Sequence, residues 1–134
     1  MSFTNYLEAK LLDHVFGGAT MDYEAPASMY LGLATDVAED GTVTGEPSGN
    51  NYARVEVTNN GTNWPAATAG SKASGAVFTF PEASGAWGTL DTFFISDDPT
   101  AGNILAYGAL SVEKTIGDGD QPKFNTGNIT ITLD

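Results

Sequence analysis

The residues most able to do covalent chemistry are few, and their spacing argues against an active site. Nucleophilic catalysis needs a base beside the nucleophile, and that base is usually histidine. The single histidine, His14, falls near the C-terminal end of a helical stretch, where a positive charge would complement the helix dipole. Ser28, Ser48, Ser84 and Ser96 lie in no nucleophile-elbow motif. Paired carboxylates occur at Asp97-Asp98 and at Asp118-Gly119-Asp120. A glycosidase needs two such groups held across a cleft. Both pairs here sit in turn sequences, where Asp commonly accepts backbone hydrogen bonds. Asp36, Glu39 and Asp40, or Asp118 and Asp120, offer oxygens to a calcium ion, but neither loop follows the twelve-residue EF-hand pattern. No glycine-rich loop leads into Lys-Ser/Thr at phosphate-binding spacing. The chain lacks cysteine, which excludes disulfides and thiolate metal sites. The expectation is a non-enzymatic protein with no catalytic residue, no cofactor-binding residue and no metal ligand.

Composition narrows the partners. Five basic residues face seventeen acidic ones over 134 positions, for a formal charge of -12. Such a surface repels nucleic acid and anionic lipid, which leaves protein or carbohydrate. No stretch approaches the ~20 apolar residues of a membrane span, and the N-terminus has no basic segment followed by an apolar run, so neither a membrane anchor nor a signal peptide is expected. The glycosylation triplets Asn60-Gly61-Thr62 and Asn128-Ile129-Thr130 are accordingly discounted. With 41% hydrophobic residues and aromatics spread along the chain, the sequence predicts a folded core. Its length suits one domain, and the absence of cysteine suits assembly in a reducing cytosol.

The elements that would position these residues change rhythm once. Phe3, Leu7, Leu11 and Val15 recur every four residues, with Leu12 and Phe16 beside them, which predicts an amphipathic helix within residues 1–18. Ser2 or Thr4 is the expected side-chain cap, and Gly17-Gly18 the expected left-handed stop. From Pro26 onward the apolar period becomes two, and residues 26–134 read as a β-domain, with helix and strands forming one structural domain. Met29–Ala34, Tyr52–Val57, Val77–Phe80, Leu90–Ser96, Ile104–Leu110, Val112–Ile116 and Ile129–Leu133 read as strands. Asp36–Asn51 reads as a long surface loop, Ala66–Gly75 as a small polar one, and Asn60-Gly61 as a turn made by positive φ. Trp64 and Trp87 are expected as core or loop anchors with partnered indole N–H groups. The fold class is therefore mainly β: a single N-terminal helix, then a compact antiparallel β-sandwich or partly closed barrel of about seven or eight strands.

Two features point to assembly. The Phe3, Leu7, Leu11, Val15 face is too apolar to stay in water, and must pack on its own β-domain or on another subunit. Arg54, a lone guanidinium on an alternating strand of a very acidic chain, is expected to pair with a carboxylate within the chain or across a subunit contact. These five residues form the candidate assembly interface.

Three segments carry a family resemblance. The first runs from Glu46-Pro47-Ser48-Gly49 through Tyr52-Ala53-Arg54-Val55 to Asn63-Trp64-Pro65-Ala66-Ala67. The second runs from Phe80-Pro81 to Gly85-Ala86-Trp87-Gly88-Thr89. The third runs from Asn103-Ile104-Leu105-Ala106-Tyr107-Gly108-Ala109-Leu110 to Gly119-Asp120 and Lys123-Phe124. With the opening Phe3-Thr4-Asn5-Tyr6-Leu7-Glu8, they resemble a family of small tailed-phage virion proteins, often labelled tail fibre proteins, some of which are similar to capsid decoration or cement proteins. The resemblance covers nearly the whole chain. Asp91-Thr92-Phe93-Phe94 departs from a more histidine-bearing family pattern, so no shared histidine role is carried over. The resemblance implies a virion location, reached by assembly in the host cytoplasm. It implies a capsid decoration protein that stabilises the head as a homo-oligomer, a homotrimer, by contact with the major capsid protein or another virion protein. The alternative is a tail-fibre or baseplate module that binds host-surface glycan or protein. Neither reading involves nucleic acid, a membrane or a cofactor.

Overall fold

The computed structural model describes residues 1–17 and 23–133. The chain opens with a two-residue strand, β1 (Ser2–Phe3), and enters helix α1 (Asn5–Phe16) through Thr4. Strands β2 (Ser28–Ala34), β3 (Asp36–Val37), β4 (Val43–Thr44) and β5 (Val55–Thr58) follow. Then come β6 (Ser71–Ala73), β7 (Phe78–Thr79), β8 (Gly88–Ser96), β9 (Ile104–Ile116), β10 (Lys123–Phe124) and β11 (Thr130–Thr132). The mainly β, single-helix expectation holds. The strands are more numerous and mostly shorter than the sequence rhythm suggests.

All pairing is antiparallel. A five-stranded sheet has the order β1-β9-β8-β2-β5, and two-stranded ribbons are formed by β7 with β10, β6 with β11, and β3 with β4. Alternation along the central strands sends side chains to two faces. On one, Leu31, Leu33, Phe93, Ile95 and Leu105 form the main core with Phe78, Phe80, Trp87 and Ile129 from the segments around the ribbons. On the other, Ala34, Phe94 and Ile104 pack with Val37 and Val43 from the β3–β4 hairpin. Phe80 and Phe94 are almost wholly buried; burial of such side chains contributes about 1.5–3 kcal/mol each. Phe94 lies opposite Gly32, where even a Cβ would sit 2.2 Å from the ring. Glycine is required there because the aromatic occupies the side-chain volume.

Several expected loops contain pairing. The β3–β4 hairpin lies inside the stretch expected as loop from Asp36 to Asn51; its turn is closed by Ala38 N–H to Thr42 O (2.9 Å) and by Asp40 Oδ1 accepting from Thr42 N–H (2.9 Å). Strand β6 lies inside the expected Ala66–Gly75 loop and pairs with β11 through Ser71↔Thr132 to Ala73↔Thr130. Two- and three-residue strands are too short to display a period, so long-range pairing decides them. At Asn60-Gly61 the turn is made differently from expectation: neither residue has positive φ, and Asn60 Oδ1 accepts from Thr62 and Asn63 N–H at 3.0 and 2.9 Å.

The two expected strands Ile104–Leu110 and Val112–Ile116 are one strand with a wide bulge. Leu90 pairs with Lys114 and Thr92 with Ala109, so Asp91 alone faces Leu110, Ser111, Val112 and Glu113. The surplus residues leave the ladder and push outward, as bulges do.

Candidate functional site

Helix α1 is anchored at its start and bare at its end. Thr4 is fully buried. Its backbone N–H donates to Leu105 O at 3.0 Å, and its Oγ1 donates to Ile104 O. That hydroxyl is therefore spent on β9, and the helix has no side-chain cap, contrary to the expected use of Ser2 or Thr4. Instead Asn5 N–H donates to Glu39 O at 2.9 Å, so the β3–β4 turn satisfies one of the helix's orphan donors. At the other end Gly17 takes φ −82°, a right-handed conformation, and its N–H donates to Asp13 O. The expected left-handed stop is absent at Gly17; Gly18 lies outside the described residues.

The apolar stripe divides along its length. Phe3 pairs with Ala106 in β1. Leu7 is half-buried and packs with Met1 and Tyr6 on the main core. Tyr6 also meets Tyr23 edge-on, with ring centroids 6.5 Å apart. Leu11 is half-buried. Beyond it Leu12, Val15 and Phe16 are 59%, 62% and 80% exposed. Leu12 and Phe16 are four residues apart and Val15 is three from Leu12, so the three share one side of the helix. The sequence pattern showed Leu12 and Phe16 beside the stripe; it did not show that they, with Val15, would be the part left uncovered.

Arg54 is held within the chain. Its Nε and Nη2 donate to Glu46 Oε1 and Oε2 at 2.8 and 2.9 Å. Nη1 donates to Asp98 O and Ala101 O at 2.9 and 3.0 Å. The guanidinium carbon lies 4.9 Å from the Phe94 ring centroid, which adds a cation–π contact. The side chain is 5% exposed. Tyr52 Oη donates to Glu46 Oε1 at 3.0 Å and accepts from Leu33 N–H at 3.0 Å. Burial, aided by Glu46, pushes the Tyr52 phenol well above its ordinary value, so it remains a neutral donor. Of the two expected partners for Arg54, the carboxylate within the chain is the observed one. Glu46 was visible in the Glu-Pro-Ser-Gly segment, but nothing in the spacing joined it to Arg54.

Three of the four paired carboxylates accept hydrogen bonds within turns. Asp97 accepts from Asn103 N–H at 2.7 Å and from its side-chain amide at 2.9 Å. Asp98 Oδ1 accepts from Thr100 and Ala101 N–H at 2.9 and 2.8 Å. Those backbone donors hold the Asp98 carboxyl below the usual carboxylate range. Asp120 accepts from Gly117 N–H at 2.8 Å. His14 is exposed in the last turn of α1. Among the described residues, no three His, Asp or Glu side chains gather as a metal site would require, and no helix is long and apolar enough to cross a membrane. Trp87 and Trp64 are buried anchors. The Trp87 indole donates to Asn50 O at 2.9 Å, whereas Trp64 Nε1 has no hydrogen-bond partner among the described residues, against the expectation for both.

Comparison with known proteins adds the family. No curated protein matches the sequence. A family model described as podophage GP4 fiber I protein gp80 matches residues 2–132, which includes α1, the main sheet and all three ribbons. The chain, an anchored helix with an uncovered end on a mainly β fold, thus belongs to the podophage GP4 fiber I protein gp80 family, a family of phage virion fibre proteins.

Proposed function

We propose that the protein is a non-catalytic structural subunit of a podophage fibre. It joins copies of itself as a homotrimer, or a neighbouring virion protein, through the C-terminal half of α1. The observation that carries this reading is the exposed Leu12, Val15 and Phe16 cluster, since large exposed apolar side chains gathered in one place mark contact surfaces. Charge supports the same location. Within Asn5–Phe16 two acids face one lysine, a formal −1 with His14 neutral, against −12 for the chain. Like-charge repulsion between copies is therefore small at this helix. Arg54 is not assigned to the interface, because its donors are committed to Glu46 and to backbone carbonyls of its own chain.

Fibre family membership supports a fibre subunit over the capsid decoration role that the sequence resemblance first suggested. Sedimentation of the wild type against Leu12→Asp and Phe16→Asp tests the contact. The wild type is expected to associate and both variants to sediment as monomers with unchanged melting temperature. Equal association in all three would end the helix reading. Antibody labelling of particles tests location: signal on tail-borne fibres supports the fibre role, and signal over the head would restore decoration.

A further inference from the structure

An open groove of about 860 Å³ lies between the bulged half of β9 and the segment from Asp120 to Asn128. Its size falls in the range of small-ligand sites, roughly 300–1,000 Å³. One wall is the bulge itself, with Ser111, Val112 and Lys114; the other carries Gln121, Lys123 and Asn128. At its base Phe124 is half-buried. Its ring lies 5.3 Å from that of Phe93 and 6.5 Å from that of Phe80, measured between centroids. Phe124 is thus held at a tilt against two other aromatic rings.

The charge of the groove is opposite to that of the molecule. Lys114 and Lys123 are two of the five basic residues in the chain, and both line the groove, one from β9 and one from β10. Among the described residues neither ammonium has an ion-pair or hydrogen-bond partner. Asp120 is the one acidic residue of the lining, and its Oδ2 already accepts from Gly117 N–H.

We propose that this groove binds a short stretch of anionic saccharide. The apolar C–H face of a sugar ring packs on Phe124. Its hydroxyls exchange hydrogen bonds with Ser111, Gln121 and Asn128, and its acid group lies between Lys114 and Lys123. Each part of the lining then has a function that a single ligand class satisfies: aromatic platform, neutral polar groups and paired cations. An acidic peptide fits less well, because strand addition needs a straight free edge and the bulge interrupts it here. The inference rests on none of the helix contacts proposed above, and its failure would leave them standing.

The test is an amide chemical-shift titration of the whole labelled protein with tetragalacturonate and with trimeric sialic acid. Neutral maltotetraose and tetraglutamate are the controls. At least one acidic sugar is expected to shift the amides of Lys114, Thr115, Lys123 and Phe124 and to saturate. Affinity should fall about tenfold for maltotetraose and for the K114Q/K123Q double variant, the size expected for losing two solvent-facing charge contacts. The variant should keep the wild-type melting temperature, since neither lysine has a partner to lose. Absence of groove shifts with both acidic sugars overturns the proposal. So does unchanged affinity in the folded double variant, and so does tighter binding of tetraglutamate, which would make the groove a peptide site.

Discussion

At the scale of the residue, Arg54 shows how one cation is used in an acidic chain. Four of the five donors of a planar fork are matched to a carboxylate and two carbonyls, and the guanidinium is set over Phe94. Removing one partner from a largely buried pair is more damaging than the pair is stabilising, because the other charge stays behind. Glu46→Ala should therefore lower stability by about 2–3 kcal/mol, tempered by the partial exposure of Glu46. Tyr52→Phe should cost about 1–2 kcal/mol, since it leaves Leu33 N–H without an acceptor. Urea denaturation measures both. Asp98 sets a dependence on pH. Its carboxyl titrates lower in the folded chain than in the unfolded one, so its contribution is complete above the ordinary carboxylate pKa. That contribution is lost as pH falls through the lower, folded value. Asp98→Asn should flatten the acid limb of a melting-temperature profile and leave neutral pH nearly untouched by titration. The turn role of these aspartates was legible from composition, because Asp between Ser, Pro and Gly bonds its own backbone. The Arg54 partners were not, since Glu46, Phe94 and Ala101 are brought together by sheet pairing and not by spacing.

At the scale of the element, α1 divides into two halves with different duties. Leu7 packs against the core, so Leu7→Asp should lower the melting temperature by several degrees or abolish folding; each 1 kcal/mol shifts it by about 2–8 °C across domains of roughly 60–250 residues. Thr4→Val keeps the shape and removes the hydroxyl bond to Ile104 O, at a cost of about 1–2 kcal/mol, visible in the same melts. The four-residue rhythm of Phe3, Leu7, Leu11 and Val15 made the helix legible, because periodicity is a property of the segment alone. Which half would be covered depends on β9, which begins 88 positions after α1 ends (Phe16 to Ile104), and was not legible. The bulge of β9 was hidden for a related reason. Ser111 breaks the apolar alternation, and a break in period looks alike whether a strand ends or bulges.

At the scale of the whole molecule, the formal charge of −12 repels a second copy and an acidic sugar alike, while Lys114 and Lys123 attract the sugar at short range. Salt screens repulsion between copies, so association through Leu12, Val15 and Phe16 should strengthen as ionic strength rises toward about 0.15 M. At the groove salt screens the attraction of Lys114 and Lys123 together with the repulsion of the chain, so binding by K114Q/K123Q, which keeps only the repulsion, should gain more from added salt than binding by the wild type. Sedimentation and titration along one salt series check the pair. An equal salt response of the wild type and K114Q/K123Q would show that the two lysines do not hold the sugar's acid group. Mean acidity and the mainly β character were legible at this scale. The groove was not, because its walls meet only after β9 and the segment around β10 have folded onto Phe93.

The pairing of Ser2 with Tyr107 bears on how the molecule is made. The first residues of the chain find their partners only when residues 104–107 have left the ribosome. At about 5–20 residues per second, that is a wait of roughly 5–20 s. During that interval α1 has no anchor, and a lone helix of twelve residues is marginal in water. The surface proposed for assembly is thus completed late in synthesis, after the strands that support it. Nascent chains on one message then have little chance to join prematurely, and a chain truncated before β9 would lack the dock that presents Phe16 to a partner.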